Sequence, residues 1–329
     1  VQADGNAPGS RFSPKPQTVK EDVVVREDVE FTAQGATLRG WFYPAEGASG
    51  SAPCVVLQHG FSGVKEMWLD RYAEVFQVAG LGCLVYDHPG FGASDPVPGT
   101  PRLEIDPWQQ VRCIQHAITY AQSRPDVDAG RIGLWGESYG GAHALVVAGT
   151  DRRVRAVVSQ GPPVSGSAAF KELVRIDHWA AMDAAFAAER QARLNGADPA
   201  MLPVVTPDPM GAAALPTQDA YDWCTTTAEK MAPAWRNEVT LLSMEFLRGY
   251  EPGRWVPLVA PTPLLMIVSP MDRLADGQLA TEAYQAALHP KKLVLVPGGH
   301  FDVYNKSEFD STSGAARDWF AENLLANDI

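Results

Sequence analysis

The sequence predicts an α/β fold: a mostly parallel central sheet flanked by helices, with a helical segment inserted late in the chain. Three features predict it. Between residues 53 and 160, short continuous apolar runs alternate with amphipathic helical patterns, the order that yields right-handed crossovers and parallel strands. From 161 to about 259 the alternation stops, and helical patterns and proline-rich connectors such as 202–209 take its place. At 264 the alternation resumes. The expected organisation is a flexible arm at 1–20, a core in two parts at 21–162 and 259–329, and a helical lid at 163–258. With 329 residues, 46% of them hydrophobic and 20% charged, the chain can bury one large core with an elaboration, and its length also allows two domains.

Residues 1–17 are rich in Gly, Pro, Ser and Ala without periodicity, which suits a mobile arm. Runs 23–31 and 36–43 are β-branched and aromatic, and Thr32-Ala33-Gln34-Gly35 between them gives a hairpin of edge strands. Residues 53–58 have a buried-strand pattern. The glycine loop His59-Gly60-Phe61-Ser62-Gly63 follows, then a helical face over 65–79 built from Met67, Leu69, Tyr72, Val75, Phe76 and Val78. The next unit has a strand at 81–86, a loop from Asp87 to Asp95, and a helix at 107–122 with Trp108, Val111, Ile114 and Ile118 on one stripe. Residues 131–145 read as strand, sharp turn and helix, and 154–159 as another buried strand. Within the insertion, 170–195 and 240–248 are helical patterns. The last units are strands at 264–269 and 292–296 and helices at 279–288 and 315–325.

Gly136 and Gly140 stand two residues either side of Ser138, the Gly-x-Ser-x-Gly spacing of a nucleophile elbow. A serine there lies at the C-terminal edge of a parallel sheet and at a helix N-terminus, whose free N–H groups favour developing negative charge. The pentapeptide alone also fits a Gly/Ser-rich turn. A serine hydroxyl needs a histidine to take its proton and a third group to hold that histidine. The strand at 264–269 runs into Asp272, and the strand at 292–296 runs into His300. The order Ser138, Asp272, His300, each just after a parallel strand, predicts a catalytic triad. Asp276 and Asp302 are the alternative acids, Asp276 reading as a helix cap and Asp302 lying close to His300 in sequence. The backbone N–H groups of Phe61 and Tyr139 are the expected oxyanion donors.

His59 reads as a loop histidine bonded to the neighbouring loop. His88, His116, His143, His178 and Glu137 receive structural or rim roles. No histidine pair has a zinc spacing, so neither metal nor cofactor is expected. A formal net charge of −12 disfavours nucleic acid or an anionic membrane as partner. No run approaches the ~20 apolar residues that span a bilayer, and the N-terminus lacks a secretory pattern. The cytoplasm is the expected location, although a start at Val1 leaves a removed leader open. Cys54, Cys83, Cys113 and Cys224 have no Cys-x-x-Cys spacing and read as reduced packing residues. The oligomeric state is unreadable, and a homodimer stays open.

The elbow, the order of the three residues and the placement of the strands resemble the α/β-hydrolase fold across the chain from about Asp22. Within that superfamily, His59-Gly60-Phe61-Ser62-Gly63-Val64-Lys65-Glu66-Met67 and Ile105-Asp106-Pro107-Trp108 are similar to a dienelactone-hydrolase-like branch that includes fungal polyketide transferases. The resemblance implies a serine hydrolase acting on a small-molecule ester, lactone or thioester through an acyl-enzyme, with transfer of a polyketide-like acyl group to an alcohol as the alternative. Peptidase activity or a non-enzymatic binding role on the same fold are further alternatives. Dienelactone hydrolases proper carry cysteine at the elbow where this chain has Ser138, and many relatives carry arginine where Asp87-His88-Pro89-Gly90 has proline. The lid aromatics and methionine Phe170, Trp179, Met182, Phe186, Trp223, Phe246 and Trp255 are candidates to line an apolar pocket.

Overall fold

A computed structural model describes residues 25–326. The arm expected at 1–20 lies outside these residues.

Strands β1 (Glu27–Ala33) and β2 (Ala36–Tyr43) pair antiparallel through a turn at Gln34 and Gly35. Both turn residues have positive φ, 51° and 81°, which matches the right-handed twist of the hairpin strands. Strand β3 (Ala52–Gln58), helix α1 (Leu69–Val78), strand β4 (Gly82–Tyr86), helix α2 (Pro107–Ser123), strand β5 (Val127–Glu137), helix α3 (Tyr139–Thr150) and strand β6 (Val154–Gln160) then alternate as the sequence predicts. β3, β4 and β6 are buried along nearly all of their length, and β5 from Ile132 to Glu137, which explains their continuous apolar runs. Helix α2 is set by Asp106, whose carboxylate accepts from the N–H groups of Trp108 and Gln109, with Pro107 filling the first helical position.

The insertion follows: α4 (Gly166–Leu173), α5 (Trp179–Leu194), the two-residue strand β7 (Met201–Leu202), α6 (Gln218–Lys230), its partner β8 (Val239–Thr240), α7 (Leu242–Arg248) and a 3-10 turn at Pro252–Leu258. Strand β9 (Leu264–Val268), α8 (Gly277–Ala286), β10 (Lys291–Leu295) and α9 (Lys306–Phe320) complete the core. Among the described residues the main sheet has the order β1-β2-β4-β3-β5-β6-β9-β10, antiparallel at β1/β2 and β2/β4 and parallel from there on. One face packs on α2, α3 and the insertion; the other packs on α1 and α9 around Tyr72, Phe76, Trp135 and Phe320.

Three boundaries differ from the sequence expectation, each for a local reason. Helix α1 begins at Leu69 rather than 65, because the Lys65 N–H is bonded to Asp87 Oδ1 and Trp68 is left-handed at φ 70°. The single helix expected at 170–195 is two, since Arg175 is extended (φ −55°, ψ 139°) and a 3-10 turn follows it. Helix α9 begins at Lys306, nine residues before the expected start, because its Ser- and Thr-rich first turns carry little apolar periodicity.

The insertion is tied to the core by charge and hydrogen bonds. Arg193 bridges Glu104 and Glu189 at 2.5 and 2.7 Å, and Ser243 Oγ accepts from the Ile105 N–H. The four cysteines are free and buried. Among the described residues, no helix is long and apolar enough to cross a membrane.

Candidate active site

Ser138 sits between β5 and α3 with φ 51° and ψ −122°, a conformation L residues rarely adopt and one that costs on the order of 1–3 kcal/mol. Its neighbours hold it there. The Ser138 N–H donates to the Gln160 carbonyl at 2.7 Å, and Ser138 O accepts from the Ala142 N–H as α3 begins. The two glycines are required by close approach: a Cβ on Gly136 would lie 2.2 Å from the Gly140 carbonyl oxygen, and one on Gly140 would lie 2.7 Å from the Gln58 and His59 carbonyl oxygens. The serine hydroxyl is thereby raised at the sheet edge.

His300 Nε2 lies 3.0 Å from Ser138 Oγ, and His300 Nδ1 lies 2.6 Å from Asp272 Oδ2. The chain of contacts therefore runs Ser138, His300, Asp272, joining residues from three strand ends. Asp272 is itself fixed. Its Oδ1 accepts from the N–H groups of Leu274 and Ala275 at 2.9 Å each, and the residue is 6% exposed. The alternative acids are occupied elsewhere. Asp276 caps α8 through Gln278 and Leu279, and Asp302 braces the histidine turn by accepting from the Gly299 N–H at 2.7 Å. Burial by itself would lower the pKa of His300. Burial is the largest single influence, but the charge and hydrogen bond of Asp272 together with the charges of Glu137 and Asp219 outweigh it, and the ring titrates above its ordinary value.

That direction moves an expectation. Sequence alone places the rise of activity near ~6.5, the unperturbed histidine value. With the neutral ring as base, kcat/KM should instead rise with pH along a limb centred above ~6.5. A pH profile whose limb lies at or below that value, with chemistry rate-limiting, would count against His300 as the group titrated.

Phe61 and Tyr139 line the same cavity as Ser138 and His300, and their rings meet edge to face at 5.7 Å. Tyr139 is the first residue of α3, so its N–H has no partner within the helix. Phe61 is carried by a turn in which the Gly63 N–H donates to the Gly60 carbonyl. The loop beneath is built from buried polar groups. Asp87 accepts from Lys65 N–H and Nζ at 2.7 and 2.8 Å and from the Ala93 N–H at 2.9 Å. His59 Nε2 accepts from the His88 N–H at 3.0 Å, which is the bond to the neighbouring loop that its sequence position suggests, while Nδ1 donates to the Gly60 carbonyl. His143, on the buried side of α3, has its two nitrogens on Tyr250 Oη and Gln110 Oε1. Among the described residues, no group of three or more His, Cys, Asp or Glu is arranged to hold a metal ion.

The cavity over Ser138 is apolar: Met67, Pro163, Leu173, Leu215, Trp223, Trp235, Leu247 and Leu274 contribute to its walls. Of the seven lid residues singled out from sequence, Trp223 is in that wall. Phe170 and Phe186 are buried in the core formed with the insertion. Trp235, Leu173, Leu215 and Leu247 went unread because all four sit near helix ends or in connectors, where apolar periodicity gives no direction. Glu137, given a structural or rim role from sequence, is buried at the back of the site and accepts from the Gly60 N–H and from Tyr304 Oη.

Comparison with known proteins bears on this arrangement. Residues 54–309 match the model of the Alpha/beta hydrolase family. The chain is 33% identical over 281 residues to the thiohydrolase aneE of Aspergillus aculeatus, covering 81% of this chain and 83% of that protein. It is 31% identical over 279 residues to the polyketide transferase grgF of a Penicillium species, covering 84% of this chain and 90% of the relative. Among solved structures, the α/β hydrolase GrgF from Penicillium sp. sh18 superposes with a TM-score of 0.79 at 28% identity, over 92% of this chain and 100% of that one.

Proposed function

The chain belongs to the α/β-hydrolase family, and we propose that it is a serine-dependent acyl hydrolase acting on a thioester, ester or lactone with an apolar acyl group. The observation that carries this reading is the contact chain from Ser138 through His300 to Asp272 at the floor of an apolar cavity. His300 Nε2 takes the proton of Ser138 as Oγ attacks the carbonyl carbon, and Asp272 holds Nδ1–H and stabilises the imidazolium that forms. The N–H groups of Phe61 and Tyr139 receive the negative charge that develops on the carbonyl oxygen, an interaction worth on the order of 10²- to 10³-fold in rate per donor. His300 then returns the proton to the leaving thiol or alcohol. Water, activated by the same ring, releases the acid and frees Ser138.

In this reading residues 163–258 act as a lid over the core segments 21–162 and 259–329, with Leu173, Trp223, Trp235 and Leu247 receiving the acyl chain. Thioesters head the substrate class because relatives bear the names thiohydrolase and polyketide transferase. The buried free cysteines suit the reducing cytoplasm. The acyltransferase alternative is favoured by one feature, the apolar lid, which limits water at the acyl-enzyme.

One experiment addresses both. The purified protein is incubated with octanoyl-N-acetylcysteamine, with and without a medium-chain alcohol, and free acid and ester are quantified. Octanoic acid as the main product in both arms fits the hydrolase. Ester rising to dominate at millimolar alcohol would replace that reading with the transferase, and no turnover of this thioester or of p-nitrophenyl octanoate would remove the proposed chemistry.

A further inference from the structure

The side chain that ties the site together is Glu137, one residue before Ser138. It is 9% exposed, and each carboxylate oxygen has a separate donor. Oε1 accepts from the Gly60 N–H at 2.5 Å, and Oε2 accepts from Tyr304 Oη at 2.7 Å. Gly60 precedes Phe61 on the loop after β3. Tyr304 follows His300 on the same loop, in the 3-10 turn Asp302–Tyr304. The carboxylate thus bridges the end of β5, the loop carrying one oxyanion donor, and the loop carrying the base. Gly60 makes room for it, since a Cβ there would lie 2.7 Å from Oε1.

Resting on the reading of Ser138 as nucleophile, we propose that Glu137 is a positioning residue for acyl transfer: through the Gly60 N–H and Tyr304 Oη it holds the Phe61 loop and the His300 loop in one fixed relation to Ser138. Hydrogen bonds to a carboxylate are stronger than those between neutral groups, and two of them on one rigid strand end constrain both loops. The precision matters because oxyanion donors and base must meet the reacting carbonyl together, and a misplacement of about 1 Å costs on the order of 10²-fold. The carboxylate also stands close enough to His300 to favour its protonated form. The other titratable groups around it are Tyr304, Tyr72 from α1 and Cys224 from α6, all kept neutral by burial, with Cys224 pushed up to about 12. Asp272 and Asp219 act on the same ring from β9's exit loop and from α6.

The test uses E137Q, which keeps the shape while removing the charge, and Y304F, which severs only the arm to the histidine loop. Each is compared with wild type on p-nitrophenyl octanoate across pH, with folding checked by circular dichroism. For E137Q the expected result is a kcat lower by about tenfold or more with KM changed less than about threefold. Its lower pH limb should move measurably to lower pH, because the negative neighbour of His300 is gone. For Y304F the expected result is kcat lower by about threefold or more at similar KM. Wild-type kcat in both variants overturns the proposal. A reduced kcat with an unmoved limb in E137Q also overturns it, since general loosening of the fold does the same. If E137Q does not fold, Y304F decides alone by its split between kcat and KM. Failure of the underlying reading looks different: wild type itself would then lose no activity when Ser138 is replaced.

Discussion

Replacement of Ser138 by alanine is expected to lower kcat by at least about 10³- to 10⁴-fold and to abolish labelling by a fluorophosphonate, with the thermal midpoint unchanged or slightly lowered. The size follows from the proposed mechanism, in which loss of Oγ removes the acyl-enzyme and leaves only binding and the two N–H donors to assist direct attack by water. The small stability change follows from the backbone. Ser138 is held at φ 51° by the Gly136 and Gly140 contacts and by its own bond to Gln160, and alanine inherits that strain without adding to it. The hydroxyl's bond to His300 is lost, which removes one polar contact in the folded protein. Intact mass spectrometry after probe treatment gives the readout. An adduct of undiminished yield on the alanine variant would place the reactive nucleophile elsewhere.

The second large effect is loss of stability on mild acidification. His59, His88 and His143 pack edge to face under the elbow, with ring centroids 4.5 Å apart for the first two and 5.8 Å for the last two. All three are fully buried, and burial drives their pKa values down, to about 4 for His59, to about 3 for His143 and well below the ordinary value for His88. In the unfolded chain each takes up a proton near ~6.5. Below that value the unfolded state therefore binds more protons than the folded one, so stability is present above ~6.5 and falls as pH drops towards 4. His59 and His143 each contribute a loss of roughly 2 kcal/mol between pH 7 and 5, and His88 adds to it in the same direction. Together they make up a large part of the stability of a typical domain. Urea midpoints at pH 7 and 5 check this, and a midpoint that stays constant would show that the rings are solvated. His143→Gln, which retains polar contacts toward Tyr250 and Gln110, should lessen the acid sensitivity without abolishing it, since His59 and His88 remain.

How much of this was legible beforehand differs by element. The alternation from residue 53 to 160 and the resumption at 264 gave the sheet, because a strand buried on both faces must be apolar throughout. The Gly-x-Ser-x-Gly spacing pointed to the elbow because only glycine tolerates the contacts of 2.2 and 2.7 Å at Gly136 and Gly140. The insertion was visible as a break in alternation, but its pocket was not. Trp223 and Trp235 line the cavity while Phe170 and Phe186 are packed away from it, and nothing in the periodicity of a helix says which neighbour its apolar face meets.

By itself, then, the sequence determined the alternating fold, the backbone-strained serine and the candidacy of Asp272 and His300, because each rests on local sterics or on position after a strand. The tertiary structure decided the rest. The separations of 2.6 and 3.0 Å that join three strand ends, the raised pKa of His300, the buried neutral histidines and the two-armed role of Glu137 all arise between residues from 28 to 167 positions apart in the chain. Hydrogen-bond geometry and desolvation are properties of such long-range neighbours, and they exist only once the sheet has brought its strand ends together.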